Sequence, residues 1–104
     1  MPGTSEEFNR YKIHYYTDRP FAPFQAMIAC YREQQYVGRI VFYPEGSVPM
    51  SGQASLHYAF SRFADVITML RHEKPLYLYW DSYTDGEDEV WWGMLMTSKD
   101  SASE

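Results

Sequence analysis

Three histidines, one cysteine and one acid-rich stretch are the side chains of this sequence best suited to proton transfer, nucleophilic attack or metal binding. His14, His57 and His72 titrate near neutral pH and so qualify as general bases. None stands in a recognisable catalytic constellation. His57 and His72 fall fifteen residues apart on one expected helix, more than about 20 Å along its axis, too far to share a metal. Cys30 would need a histidine partner to act as a nucleophile. Its neighbours Ala26-Met27-Ile28-Ala29 are apolar, and a thiol in such a setting packs as a small hydrophobe.

The stretch Asp81 to Glu89 (DSYTDGEDE) invites a calcium reading. A loop of the EF-hand type needs oxygen ligands at fixed offsets and a glutamate at its twelfth position. Counted from Asp81, the third residue is Tyr83 and the twelfth is Trp92, so the pattern fails and a solvated hairpin tip is expected. The segment Tyr43-Pro44-Glu45-Gly46-Ser47 has one glycine and no following lysine, which removes a phosphate-cradling loop. A small pocket closed by 44–50 and 17–23, with Glu45, Asp18 and Arg19 as its polar groups, is the remaining enzyme or ligand-binding alternative. No catalytic residue, metal or cofactor is assigned.

The elements that would position these residues follow from periodicity. In Phe8–Tyr16, Tyr11, Ile13 and Tyr15 alternate with Arg10, Lys12, His14 and Tyr16, the period of a strand with one buried face. Phe24–Arg32 and Tyr36–Tyr43 read as a second hairpin-like pair of strands. Ser51 is read as the N-cap of a helix of about 22 residues reaching His72, roughly 33 Å long. Its stripe is Leu56, Phe60, Phe63, Ile67 and Leu70, at spacings of four and three. Leu76–Thr84 and Glu87–Thr97 flank Asp85-Gly86, read as a two-residue turn. The expected fold is α+β: a five-stranded antiparallel sheet, β-β-β-α-β-β in sequence, with one amphipathic helix on one face. Residues 1–7 read as a flexible leader, 8–97 as a single domain and 98–104 as a flexible tail.

Composition agrees with one small folded unit. The 104 residues are 45% hydrophobic and 22% charged, and 18% are aromatic: ten Tyr, six Phe and three Trp. Such rings pack as large apolar bodies whatever their hydropathy index says. The net charge of −5 is uneven, with residues 1–80 at +1 and residues 81–104 at −6, which argues against a general polyanion binder. A lone cysteine, an acidic start and no apolar run long enough for a membrane helix read as a cytoplasmic protein.

One helix cannot cover both faces of an aromatic sheet. The turn at Asp85-Gly86 sets Trp80 opposite Trp91 and Tyr79 opposite Trp92, on opposite faces. The side facing away from the helix would carry Arg10, Lys12, His14 and Tyr16 on one strand and Val37, Arg39, Val41 and Tyr43 on another. Three uses compete for it. The rings are covered core, or a self-association face, or a stacking platform for single-stranded nucleic acid. The leading expectation is a non-enzymatic interaction module, a homodimer joined through Tyr16, Tyr43, Tyr79, Trp80, Trp91 and Trp92. The nucleic-acid alternative uses Tyr16 and Tyr43 for bases and Arg10, Lys12 and Arg39 for phosphates, and the acidic last quarter disfavours it.

Overall fold

Seven strands and one helix appear in the computed structural model, which describes residues 3–17 and 23–97. The strands are β1 (Thr4–Phe8), β2 (Arg10–Tyr15), β3 (Ala26–Arg32), β4 (Gln35–Tyr43), β5 (Ser55–Ala59), β6 (Leu76–Asp85) and β7 (Asp88–Met96). A 3₁₀ turn, Phe60–Arg62, leads into helix α1, Phe63–His72. The class is α+β as expected, but the single five-stranded antiparallel sheet is not. The strands form a three-stranded sheet, β1-β6-β7, and a four-stranded sheet, β2-β3-β4-β5, in which β5 runs parallel to β4.

Two segments account for the difference. Thr4–Phe8, read as part of a loose leader, is strand β1, paired antiparallel with β6 from Thr4↔Trp80 to Phe8↔Leu76. The chain then bends at Asn9 and enters the other sheet as β2. Here Asn9 N–H bonds to Tyr31 O at 2.9 Å, beside the Arg10↔Tyr31 pair. Ser55–Ala59, read as the first turns of the helix, is a strand. Leu56 and Phe60 lie four apart, a spacing that one face of a helix and one face of an extended chain both satisfy. The helix proper begins only at Phe63. Ser51 does accept a backbone N–H, but from His57 in β5 at 2.9 Å rather than from a helical turn.

The inner faces of the two sheets meet over a core of Phe8, Ile28, Cys30, Ile40, Phe42, Leu56, Leu78 and Trp80, closed on one side by Val66 and Leu70 of α1. Their approach is very close at two places. A Cβ on Gly38 would stand 2.6 Å from Leu78 Cδ1, and one on Gly93 would strike the Leu56 side chain. Aromatic rings carry the contact onward to the helix: Phe42 meets Phe63 edge-on at 5.0 Å, and Phe63 stacks on Phe60 at 5.3 Å.

The last hairpin turns at Gly86-Glu87, with Asp85 paired to Asp88. Only Gly86 has positive φ, 68°, as a connection of type II′ requires of its first central residue. The register therefore differs from the expected one by two residues: Trp80 faces Gly93 and Tyr79 faces Met94. A shift of two leaves every side chain on its expected face.

Candidate functional site

The six rings assigned to one interaction surface divide among three places. Trp80 belongs to the core and Trp91 packs against it. Tyr43 lies on the outer face of the four-stranded sheet but is only 8% exposed. The Phe24 ring sits 5.8 Å from Tyr43 and 5.7 Å from Tyr16. Tyr79 and Trp92 remain together on the outer face of β1-β6-β7, their rings 5.4 Å apart.

That outer face is larger than the two expected residues. Alternation along β6 and β7 brings Tyr77, Tyr83, Val90 and Met94 to the same side, with Trp92 40% and Tyr83 56% exposed. Among the described residues no helix or strand packs over it. Tyr79 donates its hydroxyl proton to Asp81 Oδ2 at 3.2 Å, while Asp81 Oδ1 accepts the Ser82 N–H at 2.7 Å. These bonds fix the ring and the carboxylate at the acidic end of the face. Of the four residues missed from sequence, Tyr77, Val90 and Met94 lie two positions from Tyr79 or Trp92, and Tyr83 lies four from Tyr79.

The cations of the nucleic-acid alternative do share a face. Lys12, Ala29, Arg39 and Ser55 stand in one row across the four strands, and His14, Met27, Val41 and His57 in the next. Lys12 Nζ rests 5.4 Å from the Tyr31 ring centroid, and Arg10 Nε lies 3.9 Å from Glu33. The rings beside these cations are Tyr31 and Tyr36, 5.7 Å apart, not the two that were expected. The buried Tyr43 offers no ring to a base, and Tyr16 stands beside Phe24.

A polar chain runs under the 44–54 connection. Arg39 Nε–H donates to Ser55 Oγ at 3.0 Å, and Ser55 Oγ lies 2.8 Å from His57 Nε2. His57 Nδ1 faces Pro49 O at 3.3 Å. A carbonyl only accepts, so Nδ1 carries the proton and Nε2 receives the Ser55 hydroxyl. A serine on a bare imidazole has the outline of a nucleophile and base. However, Ser55 is buried and its own N–H is spent on Gly52 O at 3.2 Å, which leaves it no part in an oxyanion site. The chain pins the connection onto β5.

Burial lowers the His57 pKa below its ordinary 6.5, and the Arg39 charge adds to this against the Pro49 and Met50 carbonyls. The unfolded chain therefore binds the proton more readily than the folded one. Stability from this group is complete above about pH 6.5, falls as the pH drops below that, and is lost beneath the folded-state value. Urea midpoints measured from pH 8 to pH 5 should show this decline in the wild type, and a smaller one in His57→Gln.

The other candidate groups separate. His57 lies on β5, not on a helix with His72. Cys30 faces the core, where burial pushes its thiol up to about 12, protonated at any physiological pH. Among the described residues no three His, Cys, Asp or Glu side chains converge as a metal site would require. Asp18 and Arg19 of the expected pocket lie outside the described residues, as does the segment 98–104. No helix among the described residues is long and apolar enough to cross a membrane. No family model, curated protein or solved structure matches the chain, so the two sheet faces and the edges beside them are the ground for a functional reading.

Proposed function

We propose that this protein is a non-enzymatic interaction module that forms a homodimer through the outer face of β1-β6-β7. The observation that carries the reading is the Tyr79–Trp92 pair, flanked by exposed Tyr83 and by Tyr77, Val90 and Met94, with no element of the chain across it among the described residues. Tyr, Trp and Met are the residues enriched at subunit contacts, and contiguous apolar patches on soluble proteins mark such sites. Charge favours a second copy set antiparallel. Asp81 and the tip residues Asp85, Glu87, Asp88 and Glu89 gather at one end of the face, and a two-fold axis through the Tyr79–Trp92 pair sends the two acidic tips to opposite ends. The same acids repel a phosphate backbone from these rings. A single buried thiol supports a reducing, cytoplasmic setting.

Light scattering behind a sizing column tests the reading. The wild type should hold a mass near twice 12.3 kDa over a range of concentrations. Trp92→Ala should weaken the dimer by about 2 kcal/mol or more, as truncating a central aromatic anchor does, with an unchanged far-ultraviolet dichroism spectrum. A wild-type monomer at every concentration, or a dimer indifferent to Trp92→Ala and Tyr83→Asp together, would overturn it.

A further inference from the structure

Among the described residues, strand β2 forms the outer edge of the four-stranded sheet, bonded to β3 alone. Tyr16 N–H donates to Gln25 O at 3.0 Å, in register with the β2–β3 pairing. This bond fixes which residues of β2 face β3. In an antiparallel pair the bonded residues alternate, so Arg10, Lys12 and His14 direct their backbone groups at β3. Tyr11, Ile13 and Tyr15 direct theirs away from the sheet. Six N–H and C=O groups thus line an edge that no other described strand pairs with, a template for a further strand.

The side chains of this edge sort by chemistry. Arg10, Lys12 and His14 all point to the outer face, and no acid stands among them on β2. Tyr11, Ile13 and Tyr15 point to the inner side, and there Ile13 is 42% and Tyr15 63% exposed, unusual for the core-facing half of a strand. A groove of about 560 Å³ opens beneath this edge, between β2 and the end of α1. Phe8, Tyr11, Leu70 and Leu76 form its apolar walls, with Arg71 and Lys74 also lining it and Glu7 as the one acid.

We propose that β2 binds, by strand addition along that edge, an extended segment of a partner protein in which apolar residues alternate with Asp or Glu. The partner's apolar side chains lie along Ile13 and enter the groove beside Tyr11, and its carboxylates lie across from Arg10, Lys12 and His14. Charge decides between this occupant and a second copy of β2. Antiparallel self-pairing about Tyr11 would place Arg10 opposite Lys12 of the other copy, and like charges directly opposite are destabilising.

The probe is a synthetic, end-blocked octapeptide of alternating glutamate and valine, titrated into the full chain. Two controls accompany it: the same composition with the four valines in one block, and alternating lysine and valine. Strand addition predicts that the alternating acidic peptide binds at least tenfold tighter than either control, and more weakly at high salt. It further predicts slowed hydrogen exchange at the amides of Tyr11, Ile13 and Tyr15. Ile13→Pro removes one outward N–H, a change edge strands accept, and should abolish binding with the dichroism spectrum intact. The pair Lys12→Glu and His14→Glu, exposed on the outer face, should reverse the preference toward the lysine peptide. Equal binding of the block control, unaltered exchange at the three amides under saturating peptide, or no reversal in the charge-swapped variant would each overturn the proposal.

Discussion

Gly93→Ala is expected to destabilise the fold by about 3 kcal/mol, the upper end for inserting one methyl into a packed core. Its new Cβ would stand 2.7 Å from the Tyr79 carbonyl oxygen, a backbone atom that cannot step aside, and would collide with Leu56 across the sheets. Gly52→Ala is the matched control, since a Cβ there meets nothing within 4 Å, and a surface change of that kind stays within about 0.5 kcal/mol. Leu56→Ala alone should cost about 2–5 kcal/mol through the cavity it leaves. Combined with Gly93→Ala it should cost less than the sum, by about 1 kcal/mol, because the new methyl enters space that Leu56 vacated. Urea unfolding of the four variants measures all of this. A Gly93→Ala protein as stable as Gly52→Ala would mean that the sheets do not meet at this point.

Phe42→Ala should cost about 3–5 kcal/mol, from a total of about 5–15 kcal/mol for a domain of this kind. Phe42 is fully buried at the centre of a ring cluster, 5.9 Å from Tyr58 and 5.0 Å from Phe63. Through Phe63 and Phe60 the cluster reaches Tyr15 on the opposite edge, at 5.3 Å and 5.6 Å. Removing the ring takes away the contact that seats α1 on the four-stranded sheet, beyond the lost apolar burial. The urea midpoint should fall while the slope holds, and near-ultraviolet dichroism should weaken before the far-ultraviolet signal does. Phe42→Leu, which keeps most of the volume, should cost less than half as much.

The hairpin strands β6 and β7 were legible because their patterns are strong. Leu76, Leu78 and Trp80 alternate with Tyr77, Tyr79 and Asp81, and each set took one face. β1 was illegible because its sequence, TSEEF, offers one apolar residue. It is a strand by virtue of its bonds to β6 and the Glu6–Arg32 ion pair at 3.4 Å, neither visible in a local pattern. β5 was misread because Leu56 and Phe60 satisfy periods of two and of four at once, and a parallel pairing with β4 leaves no turn signal between them. The interaction surface was half legible. Tyr79 and Trp92 emerge from alternation, whereas the burial of Trp80 and Trp91 depends on packing against a second sheet that no local pattern announces. Tyr43 looked open because its cover, Phe24, reads as the start of a strand but stands before β3 begins at Ala26.

The parallel pairing of β5 with β4 also sets an order of assembly. The hairpins β3–β4 and β6–β7 close through the two-residue turns Glu33-Gln34 and Gly86-Glu87, and hairpins form in about 1–10 μs. β5 can join only after residues 44–54 have doubled back along β4, and β1 only once it has found β6 some seventy positions on. Loop closure over that longer span makes β1 the late event. Until β1 docks, β6 shows a bare edge beside Leu76, Leu78 and Trp80. Refolding at high concentration should therefore lose protein to aggregates through that edge, and slow dilution from denaturant should recover it.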